Sequence, residues 1–192
     1  MWNYWIIFVN DVMMRPFPDP SILLHPQIPK PLHLLNPRTI LGSRWWNEVR
    51  QEAYKRHDLC CHACGVHKYD AKHRQWLEAH EMYDIDFVTG RVEFVEIVAL
   101  CHFCHNYIHK GRLANLLAKG EIGMRFVDTI IKHGNAILTG AGLPLDGTEQ
   151  LLGLLREKGR LCRWEDYHMV INGIRYERTF VTYEDWEKHW SK

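Results

Sequence analysis

The chain has almost no net charge and no hydrophobic run long enough to cross a membrane. Its 192 residues include 24 Lys and Arg against 23 Asp and Glu, which leaves a formal charge of +1. Binding to nucleic acid therefore cannot be argued from net charge and would need a local basic patch. A transmembrane helix needs about 20 consecutive apolar residues, so we expect no association with a membrane.

We do not expect the N-terminal stretch to be a secretion signal. The first ten residues, Met-Trp-Asn-Tyr-Trp-Ile-Ile-Phe-Val-Asn, are largely apolar but contain no basic residue. Because a signal peptide begins with a positively charged segment, we interpret this stretch as a buried strand and expect a cytoplasmic protein. In such a setting six cysteines favour metal binding over disulfides.

Proline is scarce outside one stretch, because residues 15–37 hold seven of the eight prolines. Such a stretch cannot form an α-helix, so we predict an extended arm that wraps over the surface. The apolar residues at 22–24 and 32–35 favour docking of this arm over the alternative, a disordered arm. Together with the first strand it forms an N-terminal segment, residues 1–42.

Helical and strand patterns divide the rest of the chain. Ser43 is the predicted N-cap of a helix over residues 44–57. Residues 75–100 predict a β-hairpin that turns at Thr89-Gly90, and a helix over 103–118 follows. These elements predict a core of residues 43–119 and a C-terminal extension of residues 120–192. In that extension we expect helices at 121–140, 148–158 and 183–190, and a hairpin at 168–177.

Four cysteines form two C-x-x-C pairs, Cys61 with Cys64 and Cys101 with Cys104. Zinc is commonly held by four thiolates from two such pairs, and a hairpin fits between them. Cysteines can also be buried as small hydrophobic residues, but two pairs of the same spacing argue against that alternative. We predict that these four residues bind a structural Zn²⁺.

Three histidines predict a second metal site. His105 and His109 are four residues apart, which places them on one face of a helix, and His80 lies on the opposing hairpin. Three imidazoles that leave coordination positions open are typical of a catalytic metal site. Each histidine taken alone would more often be a surface or capping residue. Three hairpin acids are candidates to hydrogen-bond these imidazoles: Glu78, Asp84 and Glu96.

The sequence L-E-A-H-E, the hairpin after it and A-L-C-H-F-C-H-N-Y-I-H resemble the HNH endonucleases over roughly residues 58–112. That family is the ββα-metal nucleases with C-x-x-C zinc knuckles. The resemblance implies an α+β fold with a central ββα-metal core and a structural zinc, flanked by the Pro-rich arm and a C-terminal helical and hairpin extension.

The same resemblance implies hydrolysis of DNA phosphodiester bonds, most commonly in double-stranded DNA. One divalent cation (Mg²⁺, Mn²⁺, Ni²⁺ or Zn²⁺) would be held by His80, His105 and His109. It further implies a role in a phage, a mobile element or a defence system, and hence a bacterial or phage-infected cell.

Two positions depart from the family pattern. The family commonly has a general-base histidine directly after the hairpin ligand, so with His80 as ligand the implied base is Glu81. If His80 were instead the base, the ligand position would hold Ala79, which cannot bind metal. The position of the family's asparagine holds Glu96. A module that has lost catalysis and binds nucleic acid or a partner protein is therefore the alternative.

Basic residues beside the motif predict contact with phosphate. Arg74 lies in the loop after the first knuckle, which is the C-x-x-C pair Cys61–Cys64. Lys110 and Arg112 follow His109. Asn106 could hydrogen-bond a phosphate. Such contacts give salt-dependent binding without sequence preference. Scattered solubilising charge is the alternative for the basic residues, as an ordinary surface position is for Asn106. The C-terminal region shows no catalytic pattern and is a candidate surface for a protein partner or a homodimer.

Overall fold

The fold is α+β, as the sequence predicts. A computed structural model describes residues 17–191, so the strand predicted in the first ten residues lies outside the described range. Six α-helices and one four-stranded mixed sheet occur within residues 17–191. Their bounds in chain order are α1 Pro37–Lys55, β1 Leu77–Asp86, β2 Arg91–Cys101, α2 His102–Ile108, α3 Lys110–Ala118, α4 Met124–Gly140, α5 Gly147–Glu157, β3 His168–Ile171, β4 Ile174–Glu177 and α6 Tyr183–Trp190.

The sheet combines two hairpins in the order β1-β2-β3-β4. β1 and β2 pair antiparallel, β3 and β4 do the same, and β2 pairs parallel with β3 through Arg91 and His168. Gly90 makes this junction possible, since a Cβ there would lie 2.7 Å from the backbone of Asp166. The predicted C-terminal hairpin therefore extends the same sheet that carries the first hairpin.

Helix α1 begins earlier than predicted. Asn36 caps it and forms a reciprocal capping box with Thr39, and Pro37 occupies the first helical position, where proline is favoured. The prediction that Ser43 is the N-cap is therefore wrong for the helix as a whole. Gly42 has φ 86°, which interrupts the helical backbone, so Ser43 begins the second segment of a kinked helix.

The single helix predicted over residues 103–118 is also wrong, because it is two helices. His109 leaves the helical region with φ −87° and ψ 52°, and it ends α2 and precedes α3. Gly111 lies two residues further on, and glycine lowers helix stability by roughly 1 kcal/mol relative to alanine. The break places His109 at a helix end rather than within a continuous helix.

The proline-rich segment is docked, which confirms the favoured prediction over the disordered alternative. It is not extended throughout, since short 3-10 helices cover Pro20–Leu24 and Lys30–Leu32. Ile22, Leu23 and Leu32 are buried, with 4% exposure or less. The arm therefore contributes to the hydrophobic core.

The core lies mainly between the first hairpin, α2 and α4. Ile130 and Leu138 of α4 are fully buried and pack in the same cluster as Tyr107 of α2. Gly134 allows this approach, because a Cβ there would overlap the ring of Tyr107. α4 therefore packs directly against the helix that carries the predicted ligands. Within residues 17–191, no helix combines the length and the apolar character needed to cross a membrane.

Candidate metal centres

Four cysteines meet where the first knuckle contacts the end of β2 and the start of α2. Their Sγ atoms all lie within 4.8 Å of one another, and the Sγ atoms of Cys64 and Cys101 are 4.0 Å apart. A Zn–S bond of about 2.3 Å places the sulfurs of a tetrahedral site about 3.8 Å apart. The observed spacing fits that value, so this cluster could hold a metal such as zinc.

Hydrogen bonds among the four cysteines lower the pKa of Cys64 and Cys101 and raise that of Cys104, so the thiolate form is favoured at some of the four positions and the thiol at Cys104. The hydrogen bond with Cys104 lowers the pKa of Cys101 to about 6. His133 on α4 places Nε2 3.5 Å from the Sγ of Cys104, and hydrogen bonds with Cys101 and Cys64 raise the pKa of His133 to about 9. The sequence analysis missed His133. A signal existed, because residue 133 falls at helical spacing from the inward-facing positions 126, 130 and 137.

Three histidines form a second cluster on the same hairpin and helix. His80 on β1, His105 on α2 and His109 at the end of α2 each bring one ring nitrogen within 4.8 Å of the other two. His80 is buried and the others are half-buried. The Nδ1 atom of His80 is buried without a hydrogen-bond partner in the described residues. An unsatisfied buried nitrogen among imidazoles suits a cation, so the donor set fits a divalent metal.

His80 and His109 are held in the neutral form that metal binding requires. Burial lowers the pKa of His80 well below its usual value, and the neighbouring His25 and His109 lower it further. Burial, together with His105 and Arg112, lowers the pKa of His109 to about 4. Both rings therefore offer a lone pair at neutral pH without first losing a proton.

Glu78 orients two imidazoles from the hairpin. Its Oε2 lies 2.6 Å from Nδ1 of His105 and its Oε1 lies 2.5 Å from Nδ1 of His102. Burial acts to raise the pKa of Glu78, but the hydrogen bonds with His105 and His102 outweigh burial and lower the pKa to about 2. The prediction that Glu78 hydrogen-bonds an imidazole of the trio is confirmed. Among the other candidates, Glu96 instead forms an ion pair with Arg56.

Glu81 borders the histidine cluster from the other side of the strand. Alternation along β1 points it away from the face that carries His80, and the β-bulge lies further on, between Met82 and Tyr83. Even so, Glu81, His80 and His109 line one cavity of about 360 Å³. Burial raises the pKa of Glu81. Its role as the base stays a prediction.

Three of the four residues predicted to contact phosphate, Arg74, Asn106 and Arg112, help to line a second cavity of about 230 Å³, and Lys110 lies outside it. Asn106 is 2% exposed and its Oδ1 accepts a hydrogen bond of 2.9 Å from Arg112. It therefore holds Arg112 in place. The Arg74 guanidinium stacks over Trp76, and the Lys110 ammonium lies over Tyr107. Whether any of these residues contacts DNA stays a prediction.

His25 is a further residue that sequence reasoning missed. It enters the histidine cluster from the proline-rich arm, with Nδ1 3.1 Å from Nε2 of His80. Nothing in the spacing of Leu24-His25-Pro26 signals this contact, since 55 residues separate the two histidines.

Comparison of the chain with protein-family models, with curated proteins and with solved structures found no match.

Proposed function

We propose that the protein is a metal-dependent endonuclease of the HNH type that hydrolyses phosphodiester bonds in double-stranded DNA. One observation carries the proposal: a hairpin and the helix after it bring ring nitrogens of His80, His105 and His109 within 4.8 Å of one another. The proposed setting is the cytoplasm of a bacterial or phage-infected cell.

The three histidines would hold one divalent cation, and Glu78 would fix the ring of His105 through its hydrogen bond. A cation bound there would supply charge stabilisation for the phosphorane-like transition state and the leaving oxygen. Glu81 would accept a proton from the attacking water, and the raised pKa of its carboxyl favours that task. Arg112, which lines the cavity of about 230 Å³, would hold the DNA backbone there.

The four-cysteine cluster would hold zinc as a structural element. Its ligands are supplied by the knuckle, β2 and α2, so one ion would join three segments of the chain. Four thiolates fill the coordination of a tetrahedral zinc and leave no position for water or substrate, so this cluster would have no catalytic role.

A second candidate function is a binding module without catalysis. Two features favour it: alternation along β1 is expected to point Glu81 away from the face that carries His80, and the Glu96 carboxylate is paired with Arg56. In that case the protein would bind nucleic acid or a partner protein and cleave nothing.

A plasmid-nicking assay tests the proposal. Supercoiled DNA is incubated with the zinc-loaded protein and Mg²⁺, Mn²⁺ or Ni²⁺, and wild type is compared with His80→Ala and Glu81→Ala. We expect nicking by wild type, its loss in His80→Ala, and a rate at least about 100-fold lower in Glu81→Ala, since a general base contributes roughly 10²–10⁴-fold.

A matched control is His168→Ala, which removes a half-buried histidine of β3 that hydrogen-bonds the carbonyl of Asp166. Its nicking rate should equal that of wild type. Tight DNA binding without nicking in any metal would support the binding module instead. An unchanged rate in Glu81→Ala would remove Glu81 as the base and leave the metal site intact.

A further inference from the structure

The arm places His25 in a fixed position against His80. Core groups contact the arm on both sides of His25. Thr148 donates a hydrogen bond of 3.0 Å to the carbonyl of Leu24, and the Gln27 side chain bonds the carbonyl of Ile108. The ring of His25 lies edge-on to that of His80, with centroids 5.2 Å apart. The contact therefore belongs to a docked segment.

Hydrogen bonding at both ring nitrogens restricts the tautomer of His25. Its Nε2 lies 3.0 Å from the carbonyl oxygen of Tyr83 and 3.0 Å from the backbone nitrogen of the same residue. Its Nδ1 faces Nε2 of His80 at 3.1 Å. Two neutral arrangements place a single proton between Nδ1 of His25 and Nε2 of His80. They differ in whether Nε2 of His25 accepts from the amide of Tyr83 or donates to its carbonyl.

In the first arrangement the amide of Tyr83 donates to Nε2 of His25, and Nδ1–H of His25 donates to Nε2 of His80. The proton of His80 then sits on Nδ1, which is buried without a partner in the described residues. A buried donor left unsatisfied costs about 1–3 kcal/mol. This arrangement also removes the lone pair with which Nδ1 could bind an ion.

In the second arrangement Nε2–H of His25 donates to the carbonyl of Tyr83, and Nε2–H of His80 donates to Nδ1 of His25. Nδ1 of His80 then carries a lone pair, whereas the amide N–H of Tyr83 gives up its hydrogen bond to Nε2 of His25. Each arrangement therefore leaves one N–H without its partner, and only the second leaves a lone pair on Nδ1 of His80 for an ion. Imidazoles that bind metals commonly donate their other N–H to an acceptor that fixes the tautomer. His25 is placed to be that acceptor.

We propose that His25 is a positioning residue that fixes His80 in the tautomer able to bind the ion, so that the N-terminal arm completes the ion site. The inference rests on the histidine cluster of the proposed function binding a divalent cation. Because binding and docking are thermodynamically linked, the ion must then stabilise the docked arm as much as the docked arm strengthens ion binding.

The test measures ion affinity rather than DNA cleavage. Zinc-loaded full-length protein is titrated with Co²⁺ by calorimetry, comparing wild type with His25→Ala and His25→Asn. Loss of such an outer partner commonly lowers metal affinity about 10–100-fold, which we expect in His25→Ala. The carbonyl oxygen of Asn can accept the hydrogen bond from His80, so His25→Asn should restore affinity to within about threefold of wild type.

His33→Ala is the matched control. His33 lies on the same arm and is likewise bonded to a backbone carbonyl, that of Ile28, but its other ring nitrogen accepts from Trp186. The hydrogen bonds on both sides of His25 do not involve His33, so the arm should stay docked and Co²⁺ affinity should stay within about threefold of wild type. Hydrogen exchange gives the reciprocal readout: Co²⁺ should slow exchange across residues 17–36 in wild type and have no such effect in His25→Ala.

The outcomes separate this inference from the proposed function. Unchanged Co²⁺ affinity in His25→Ala, with clear binding by wild type, overturns the role of His25 alone. Affinity as low in His25→Asn as in His25→Ala also overturns it, because a direct ligand or simple packing would then explain the loss. Wild type that binds no Co²⁺ beyond its zinc overturns both the inference and the proposed ion site.

Discussion

The two ligand clusters share one hairpin and one helix but differ in their surroundings. Cys101 and Cys104 are enclosed by the knuckle and α4, with 3% exposure or less. His105 and His109, further along the same chain segment, are half-buried, and His109 lines a cavity of about 360 Å³. Within a few residues of α2, the chain thus passes from the enclosed cysteine cluster, whose thiolates are soft donors, to the histidine cluster, whose imidazoles are harder donors beside a cavity. We call the histidine cluster the open cluster.

The comparison indicates that burial in the core, as well as the type of side chain, determines whether a cluster suits a structural or a catalytic metal. The cysteines join the first knuckle to β2 and α2 within the main core, so a metal there would stabilise the fold. The histidines project from elements that are already packed, so a metal there would add chemistry and little stability. Mutations in the cysteine cluster should therefore lower mainly stability, and mutations in the histidine cluster should lower mainly activity, although both clusters include residues of α2.

The largest expected effect comes from breaking the thiolate cluster. Structural zinc sites contribute on the order of 10 kcal/mol of apparent folding free energy, so Cys104→Ser should abolish cooperative thermal unfolding and the bound zinc together. Circular dichroism during heating and metal analysis measure these two properties. Cys162→Ser, outside the cluster, should leave both unchanged. A Cys104→Ser protein that unfolds at the wild-type temperature would contradict the structural role.

A smaller effect, confined to the open cluster, is expected from Glu78→Gln. The carboxylate that orients His105 is lost while the shape is kept, so Co²⁺ affinity of the zinc-loaded protein should fall about 10–100-fold with the melting temperature nearly unchanged. Titration calorimetry measures the affinity. Glu93→Gln changes an acid of the same hairpin that pairs with Arg91 and should leave the affinity as it is. Loss of the bound zinc in Glu78→Gln would show that the two clusters are not separable.

The packing beneath both clusters is tested by Gly134→Ala. A Cβ would overlap the ring of Tyr107 on α2, so α4 must move away, and overpacking of this kind costs about 1–3 kcal/mol. Urea unfolding measures the free energy. Gly140→Ala on the same helix meets no atom within 4 Å and should leave stability unchanged or raise it by up to about 1 kcal/mol. Equal stability of the two variants would mean that the approach of α4 to α2 is not tight.

The smallest effect is expected at the rim of the open cluster. Arg112→Ala should weaken binding of a short DNA duplex less than about tenfold, and the slope of log affinity against log salt should become shallower by about 1. Fluorescence anisotropy over a salt series measures both quantities. Arg175→Ala, on β4 and paired with Glu177, provides the comparison and should match wild type. A slope that does not change in Arg112→Ala would remove that residue from the DNA contacts.

Local signals in the sequence predicted most of the elements and both ligand sets. Thr89-Gly90 marks the turn between β1 and β2, and the paired C-x-x-C spacings mark the four-cysteine cluster because tetrahedral zinc imposes that spacing. The helical spacing of His105 and His109 marks the second cluster. The element boundaries were less certain, as Gly42 and His109 show, because single backbone angles there interrupt patterns that read as continuous.

Only the tertiary structure decided which residues surround those ligands. The contact of His25 with His80 spans 55 residues, and the contact of His133 with Cys104 spans 29. Strand register and helix packing set such distances, whereas sequence spacing carries information only along one helix, strand or turn. The two clusters of candidate ligands could therefore be predicted from the sequence, whereas their hydrogen-bonding partners became visible only when the arm and α4 were placed on the core.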